Sequence, residues 1–515
     1  MSSKIAKSTI YQPIIGLEIH TELKTKTKMF CSCKNDSGEI RPNLNICPIC
    51  LGNPGVLPSI NKEAIFMVMK TGLALNCKMQ KETYFERKNY FYPDLPKGYQ
   101  ISQYKAPICN DGYLDIRGNS QLHSQKFARI RIQRIHLEED TARLLHPERK
   151  DYSLVDFNRA GIPLMELVTE PDIRSAKEAR NFAQELQLIL RYLEVSKADM
   201  EKGEMRVEVN ISLIPKTKTL KSKIQKLGTK VEIKNLNSFL AVEKALNFEI
   251  KRQKELLNKG EKIIQETRGW DELRGETLSQ RVKEESKDYR YFPEPDLPPL
   301  QILNLKSQIL KHMPELPQQK KERFKKEYQI SDKEAEILVK DKKFSDYFEN
   351  VISELRNWQK IEKVPQSKLP SLIRSAVNYL EVDLLGLMKE NKKGINKVKI
   401  TPENFAELIT LLWKNEISSR AGKFILKEMF ETGADPTYII EEKNLKQVSD
   451  EEEIKEIIKK IIKDNPKAIE DYKRGKKNAI QFLIGQVMRE TKGKMDPRIT
   501  QKLIQEVLIN LPKKV

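Results

Sequence analysis

Four cysteines stand in two close doublets, Cys31 with Cys33 and, after thirteen intervening residues, Cys47 with Cys50. Thiolates in short-spaced pairs let two tight turns wrap one tetrahedral ion at a Zn–S distance of about 2.3 Å, so Cys31, Cys33, Cys47 and Cys50 predict a structural Zn²⁺ site. Thiol redox chemistry by Cys47 and Cys50 is the competing reading, but no thioredoxin-like context surrounds them. Cys77 and Cys109 stand alone and read as buried packing residues.

A second chemistry is carried by carboxylates around imidazoles. From Ile15 to Leu23 the strand period puts Ile15, Leu17, Ile19 and Leu23 on one face and Glu18, His20 and Glu22 on the other. Another strand-like run ends in His136, Glu138, Glu139 and Asp140, and Glu166 and Glu170 bracket a third short apolar run. Two carboxylates flanking an imidazole suit a divalent cation, and Mg²⁺, which takes oxygen ligands, accompanies ATP chemistry. Alternation with Leu137 places Glu138, not Glu139, on the His136 face. Taken singly, each acidic group also reads as a solvated strand face; only convergence makes a site.

Between Arg87 and Gln100 the chain mixes cations, the aromatics Tyr90, Phe91 and Tyr92, and two prolines. Such an extended segment can clamp a phosphate chain and stack a base, or serve as a structural loop. Lys230 and Lys234 share one face of an alternating run that reaches Asn235. The chain contains neither Gly-x-x-x-x-Gly-Lys-Ser/Thr nor Gly-x-Gly-x-x-Gly, so an ATP site here is not a P-loop. It also lacks a Ser- and Gly-rich segment of the amidase kind, so it is not expected to release ammonia from glutamine by itself.

These residues need strands to position them. Short alternating runs dominate from about residue 10 to 240 and are punctuated by helical patterns, the clearest from Ala176 to Leu193. This predicts an α+β first part. The proline cluster from Pro293 to Pro299 reads as a boundary. From Gln318 the sequence is Lys/Glu-rich with helical spacing, as in Ile480, Leu483, Ile484, Val487 and Met488. The expected division is 1–295, 296–364 and 365–515, with a seam near 365 between two helical modules. Of the 515 residues, 93 are Lys or Arg and 73 are Asp or Glu, a net charge of +20. That excess points to a polyanion such as RNA, or to a Lys-rich proteome. A 39% hydrophobic content excludes wholesale disorder. No uncharged apolar run approaches the ~20 residues of a membrane span, and the first residues lack a secretory apolar region, so a soluble cytoplasmic protein without a membrane partner is expected.

Several ordered segments together resemble the B subunit of the tRNA-dependent amidotransferases, the GatB family. They are Gly16 to His20, Arg87 to Gln103, Leu137 to Asp140, Asp156 to Arg159, Glu170 to Asp172, Lys234 to Ser238, Gln265 to Arg268 and Asp288 to Pro293, with a tail from Lys477 to Lys494 similar to YqeY-like domains. The resemblance runs from about residue 10 to 510. It implies a cradle-like catalytic domain with a mixed sheet, a helical connector and an all-α YqeY-like tail. Such a subunit works with a GatA-like glutaminase and a GatC-like small subunit. It uses ATP and Mg²⁺ to phosphorylate the side-chain carboxylate of misacylated Glu-tRNA(Gln) or Asp-tRNA(Asn), and ammonia then displaces the phosphate. The resemblance implies His20, Glu139 and Glu166 as Mg²⁺ ligands with Glu18 beside them, while alternation favours Glu138. It also implies Arg87, Lys88, Lys234 and Asn235 as nucleotide contacts, and the Lys-dense stretches Lys473–Lys477 and Lys492–Arg498 as tRNA backbone contacts. Where many members carry Asp, this chain has Glu208, and some members lack the four cysteines. The alternative function is a tRNA-binding scaffold with a decayed kinase site, against which Glu18, His20, Glu139 and Glu166 all argue.

Overall fold

The structure, a computed structural model, describes residues 10–118, 127–216, 227–282, 288–446, 451–474, 476, 478–491 and 497–509. Of the Lys-dense stretches of the tail, Gly475, Lys477 and residues 492–496 lie outside these. The chain divides into two compact units, Met1–Leu316 and Pro317–Val515.

The first unit is built on a nine-stranded mixed sheet. Its strands are β1 (Tyr11–Glu22), β2 (Lys78–Met79), β3 (Cys109–Arg117), β4 (Phe127–Glu139), β5 (Pro163–Thr169), β6 (Met205–Pro215), β7 (Val231–Leu236), β8 (Glu266–Asp271) and β9 (Glu276–Val282). The spatial order is β9-β8-β7-β6-β1-β5-β4-β3-β2, antiparallel throughout except for the parallel pair β7 and β8. Ile15, Leu17 and Ile19 of β1 and Val207, Val209 and Ile211 of β6 lie in one apolar core with helices α1 (Lys62–Ala74), α2 (Ala176–Tyr192) and α3 (Phe239–Asn258). The side chains of Asn61, Ser175 and Ser238 cap these helices by accepting first-turn N–H groups. In α2 the buried residues Ala179, Phe182, Leu186 and Leu190 recur at the spacing the sequence shows. The helices cover one sheet face and leave the alternate residues to the other.

Two irregularities set which residues those are. Val168 stands opposite Arg134 but Thr169 opposite Ile132, so Gln133 is an extra residue in β4. Before this bulge Ile130 and Ile132 are the buried core residues, and after it Ile135 and Leu137 are, which turns Arg134, His136 and Glu138 to the open face. In β7, Val207 faces Leu236 and Val209 faces Ile233, so Lys234 and Asn235 together stand against Glu208. Asn235 takes the left-handed conformation this bulge requires, with φ of 63°.

A three-stranded sheet joins Glu86–Asn89, Tyr99–Ser102 and Phe292–Pro293, with Glu86–Asn89 in the middle.

The second unit is helical. One core runs from Phe324 to Ile440 and a separate smaller one from Ile458 to Leu508. Helices on both sides of position 365 share the first of these cores, and the two compact units meet in sequence at Leu316/Pro317. In the helix Asn478–Glu490, Leu483, Ile484 and Val487 are buried, with Ile480 and Met488 packed beside them. No helix among the described residues is long and apolar enough to cross a membrane.

Candidate active site and thiol cluster

Register across four strands lays a row of polar residues on the open face. His20 pairs with Arg206 on one side and Glu166 on the other, and Glu166 pairs in turn with His136. His20 Nε2 lies 3.3 Å from Glu166 Oε2 and 3.5 Å from Glu138 Oε1, and His136 Nε2 is 3.3 Å from the same Glu166 oxygen. Ligand atoms of His20, Glu138 and Glu166 all fall within 4.8 Å of one another. Beside them Glu18, Glu208 and Glu232 form a second trio of the same tightness. Asn210 Nδ2 donates to Glu18 at 2.8 Å, and Lys234 Nζ lies 3.0 Å from Glu208 and 3.8 Å from Glu232. Both trios line one cavity of about 770 Å³, together with Lys88, Arg134 and Arg206.

The charges of the first trio and of His136 are mutually balanced. Burial alone would lower the His20 pKa, but the hydrogen bond and charge of Glu166, backed by Glu138 and Glu208, outweigh it and raise the group from 6.5 to about 9. His136 is raised by the same balance, and the imidazoles in turn hold Glu166 well below, and Glu138 below, the usual carboxylate range against their burial. The imidazoles and the two carboxylates thus offset the cost of one another's burial. Two carboxylates and an imidazole are also a donor set for a divalent cation, and the buried His136 Nδ1 has no hydrogen-bond partner. These residues fit such an ion.

Of the predicted site residues, Glu18, His20, Glu138, Glu166, Lys88 and Lys234 come together in this cavity. Glu139, which the resemblance implied as a Mg²⁺ ligand, does not join them. The bulge in β4 lies at Gln133, before His136, so alternation runs unbroken to the strand end and turns Glu139 away. Its carboxylate accepts from Lys97 Nζ at 2.7 Å and from the Ile101 N–H at 2.9 Å. Arg87 is also elsewhere: its guanidinium grips the buried Glu294 through two bonds of 2.7 and 2.8 Å and lies over Tyr99. Asn235 sits at the β7 bulge, donating to the Trp270 carbonyl at 3.0 Å, and so helps position Lys234 without lining the cavity. The sequence reading did not single out Glu232 or Arg134; the strand period of β7 carried a signal for Glu232, whereas Arg134 depends on the bulge.

The four cysteines also converge. Cys31, Cys33, Cys47 and Cys50 are free thiols whose sulfurs lie within 4.8 Å of one another. The Cys47 N–H donates to Cys50 Sγ at 3.1 Å. Hydrogen bonding from Cys31 brings the Cys50 thiol down to about 5 against its burial, with the Cys47 N–H and the fully buried Lys28 assisting, whereas burial and the thiol cluster push Cys33 up to about 11. Four sulfurs crowded this closely fit a tetrahedral soft cation. Cys77 and Cys109 are buried apart from this cluster.

A large mixed sheet with helices on one face and a polar, acidic cavity on the other defines an α+β class of protein. Comparison with known families is specific: the GatB/GatE catalytic domain matches residues 13–308 and the GatB_Yqey domain, described as "GatB domain", matches residues 359–508. This chain belongs to the GatB family. It is 48% identical over 499 residues to the B subunit of the aspartyl/glutamyl-tRNA(Asn/Gln) amidotransferase of Persephonella marina, covering 97% of this chain and 99% of that protein. The B subunits of the same name from Thermotoga petrophila and Thermoanaerobacter pseudethanolicus are each 46% identical with the same coverage.

Two outcomes are expected. Glu138→Gln weakens Mn²⁺ binding, read by electron paramagnetic resonance, by about tenfold or more, whereas Glu139→Gln leaves it within about twofold. In metal-free protein the raised His20 pKa contributes stability that is complete below pH 6.5 and is lost as pH rises through about 9. Because a ligating imidazole must be neutral, Mn²⁺ affinity rises over the same interval, and His20→Gln flattens both profiles.

Proposed function

We propose that this GatB-family chain is the subunit that activates the side-chain carboxylate of Glu-tRNA(Gln), Asp-tRNA(Asn) or both at the expense of ATP. It then presents the activated group to ammonia made by a GatA-like glutaminase, within a complex that includes a GatC-like small subunit. The chain is an amidotransferase subunit and its activity is that of a carbon–nitrogen ligase. The single observation that carries the detailed reading is the convergence of both acidic trios with Lys88 and Lys234 in one cavity.

A carboxylate is a poor acyl donor. Attack of its oxygen on the terminal phosphorus of ATP releases ADP and leaves an acyl phosphate; ammonia then attacks the carbonyl carbon, expels phosphate and loses a proton. The protein forms no covalent bond in this sequence, so its contribution is orientation and placed charge. His20, Glu138 and Glu166 would hold a divalent ion, Glu18, Glu208 and Glu232 offer a second seat, and such ions neutralise phosphate oxygens when bound. The Lys88 side chain, which lies over the Tyr90 and Tyr289 rings, shares the cavity with the first trio and feels the charge of Glu138 and Glu166, and there its own charge suits a phosphate oxygen. Lys234 is placed likewise by Glu208 and Glu232. Four thiolates at the Cys31–Cys50 loop would hold a structural zinc ion. The proposed compartment is the cytoplasm.

In the assembled complex supplied with free ammonia, amide formation and ATP hydrolysis should both require the misacylated tRNA. His20→Ala should lower amidation by at least about a hundredfold while glutaminase activity in the partner persists. Equal loss of both activities would indicate failed assembly, and tRNA binding without any turnover by the unsubstituted complex would make the chain a scaffold. Cys47→Ser should release zinc, measured by atomic absorption, and lower the Tm by several degrees; a fully stable zinc-free protein would remove the zinc assignment.

A further inference from the structure

The carboxylates form the floor of the cavity, and one wall is of different chemistry. Tyr90, Tyr104, Tyr289 and Tyr291 all line it, together with Arg134 and Lys88. Tyr104 and Tyr291 are stacked, with centroids 4.7 Å apart and planes 14° from parallel. Tyr289 meets Tyr291 edge-on at 6.2 Å and Tyr90 at 5.9 Å. Tyr104 is 51% exposed, which leaves part of its side chain open to the cavity.

The cations beside these rings make no ion pair among the described residues. Lys88 Nζ lies 5.2 Å from the Tyr289 ring and 5.9 Å from that of Tyr90. The Arg134 guanidinium lies 5.6 Å from the Tyr104 ring, and its Nε, shielded from solvent, has no hydrogen-bond partner. Rings with a cation at either end suit a flat, electron-rich base carrying phosphate.

The wall is also held in place before any ligand arrives. The Asn89 N–H donates to the Tyr289 carbonyl at 3.0 Å and Asn89 Nδ2 to the Arg290 carbonyl at 2.9 Å, tying the Tyr289–Tyr291 segment to the three-stranded sheet. Glu86 accepts from the N–H groups of Tyr104 and Lys105, each at 2.8 Å, fixing the turn that carries Tyr104.

We propose that this wall is a stacking seat for a purine nucleoside, with Tyr104 and Tyr291 as the platform and Arg134 and Lys88 meeting its polar edge or phosphate. The inference rests on the function proposed above, in which two substrates share this chemistry: ATP and the 3′-terminal adenosine of the aminoacylated tRNA. Either would be brought within the same cavity as the His20 trio.

The test uses the assembled complex with free ammonia. Tyr104→Ala should raise the KM for ATP or for misacylated tRNA by about tenfold with kcat largely kept, and Tyr104→Phe should restore it. Which KM moves identifies the source of the nucleoside. Direct binding of two probes, AMP and the trinucleotide CCA, read by calorimetry, should weaken in parallel with the KM that moves. Unchanged KM values and unchanged binding of both probes in Tyr104→Ala would overturn the seat while leaving the amidotransferase reading intact. Tyr104-dependent probe binding in a complex that makes no amide would keep the seat and sink that reading. Should Tyr104→Ala fail to fold, Arg134→Gln is measured instead, with the same outcomes deciding.

Discussion

The register of β4, β5, β1 and β6 is the constraint on which the site depends. Because side chains alternate, a slip of one residue in any of these strands would send its polar members into the helix-covered core and its isoleucines and valines into the cavity. The buried run Ile15, Leu17 and Ile19, matched by Val207, Val209 and Ile211 across the pairing, makes such a slip costly over a long interface. The hydrophobic effect therefore specifies where His20, Glu166 and Glu138 stand, although none of them contributes to it. The bulge at Gln133 is the one permitted departure, and it lets a single strand pack isoleucines against helices and still present Arg134, His136 and Glu138 to the open face.

Placing carboxylates this close carries an electrostatic cost that must be neutralised locally. At the first trio its own His20 and the neighbouring His136 supply that neutralisation; in the second, Lys234 does so for Glu208 and Glu232. Just outside the row, Asp140 takes Arg206 at 2.8 Å and Arg159 at 3.0 Å, and Arg159 also grips Glu22. This second network joins the ends of β1 and β4 to the segment that anchors the thiol loop. There the Asn45 N–H donates to Asn158 Oδ1 at 2.8 Å, Asn158 Nδ2 to the Arg41 carbonyl at 2.7 Å, and the Met29 N–H to the Gly161 carbonyl at 2.7 Å. The loop that carries the four sulfurs is thus tied by hydrogen bonds to the segment of Arg159 and Asp140.

Local periodicity carries only part of this arrangement. Alternation along Ile15 to Leu23 was enough to place Glu18 and His20 on one face, and alternation from Leu137 was enough to favour Glu138. The family resemblance pointed to Glu139; the strand's bulge lies at Gln133, ahead of His136, and leaves the alternation through Glu138 and Glu139 unbroken. Irregularities of register are set by pairing with a distant strand, so their position is not written in the strand's own pattern. Asn235 illustrates the same limit, since a polar residue next to a lysine resembles a ligand contact until its positive φ shows it serving the bend. The helical spacing near Ile480 to Met488 was legible because it is local.

The aromatic wall lies furthest from what a sequence can show, and this follows from how it is built. Its rings come from positions 90, 104, 289 and 291, and they meet only because the Phe292–Pro293 strand returns to pair with Glu86 and Arg87. Arg87 secures that return by binding Glu294 in a bidentate, largely desolvated pair, so a residue that looks like a phosphate contact acts as the latch of the wall. The consequence is a division of labour between two sheets. The large sheet fixes the charged floor through hydrophobic register, and the small sheet fixes the aromatic wall through one latch and the hydrogen bonds of Asn89 and Glu86. Lys88, on the middle strand of the small sheet, is the charged residue of that strand that faces the floor. A displacement of the small sheet would therefore shift the wall and its cation together relative to the carboxylates, leaving the register of the floor unchanged.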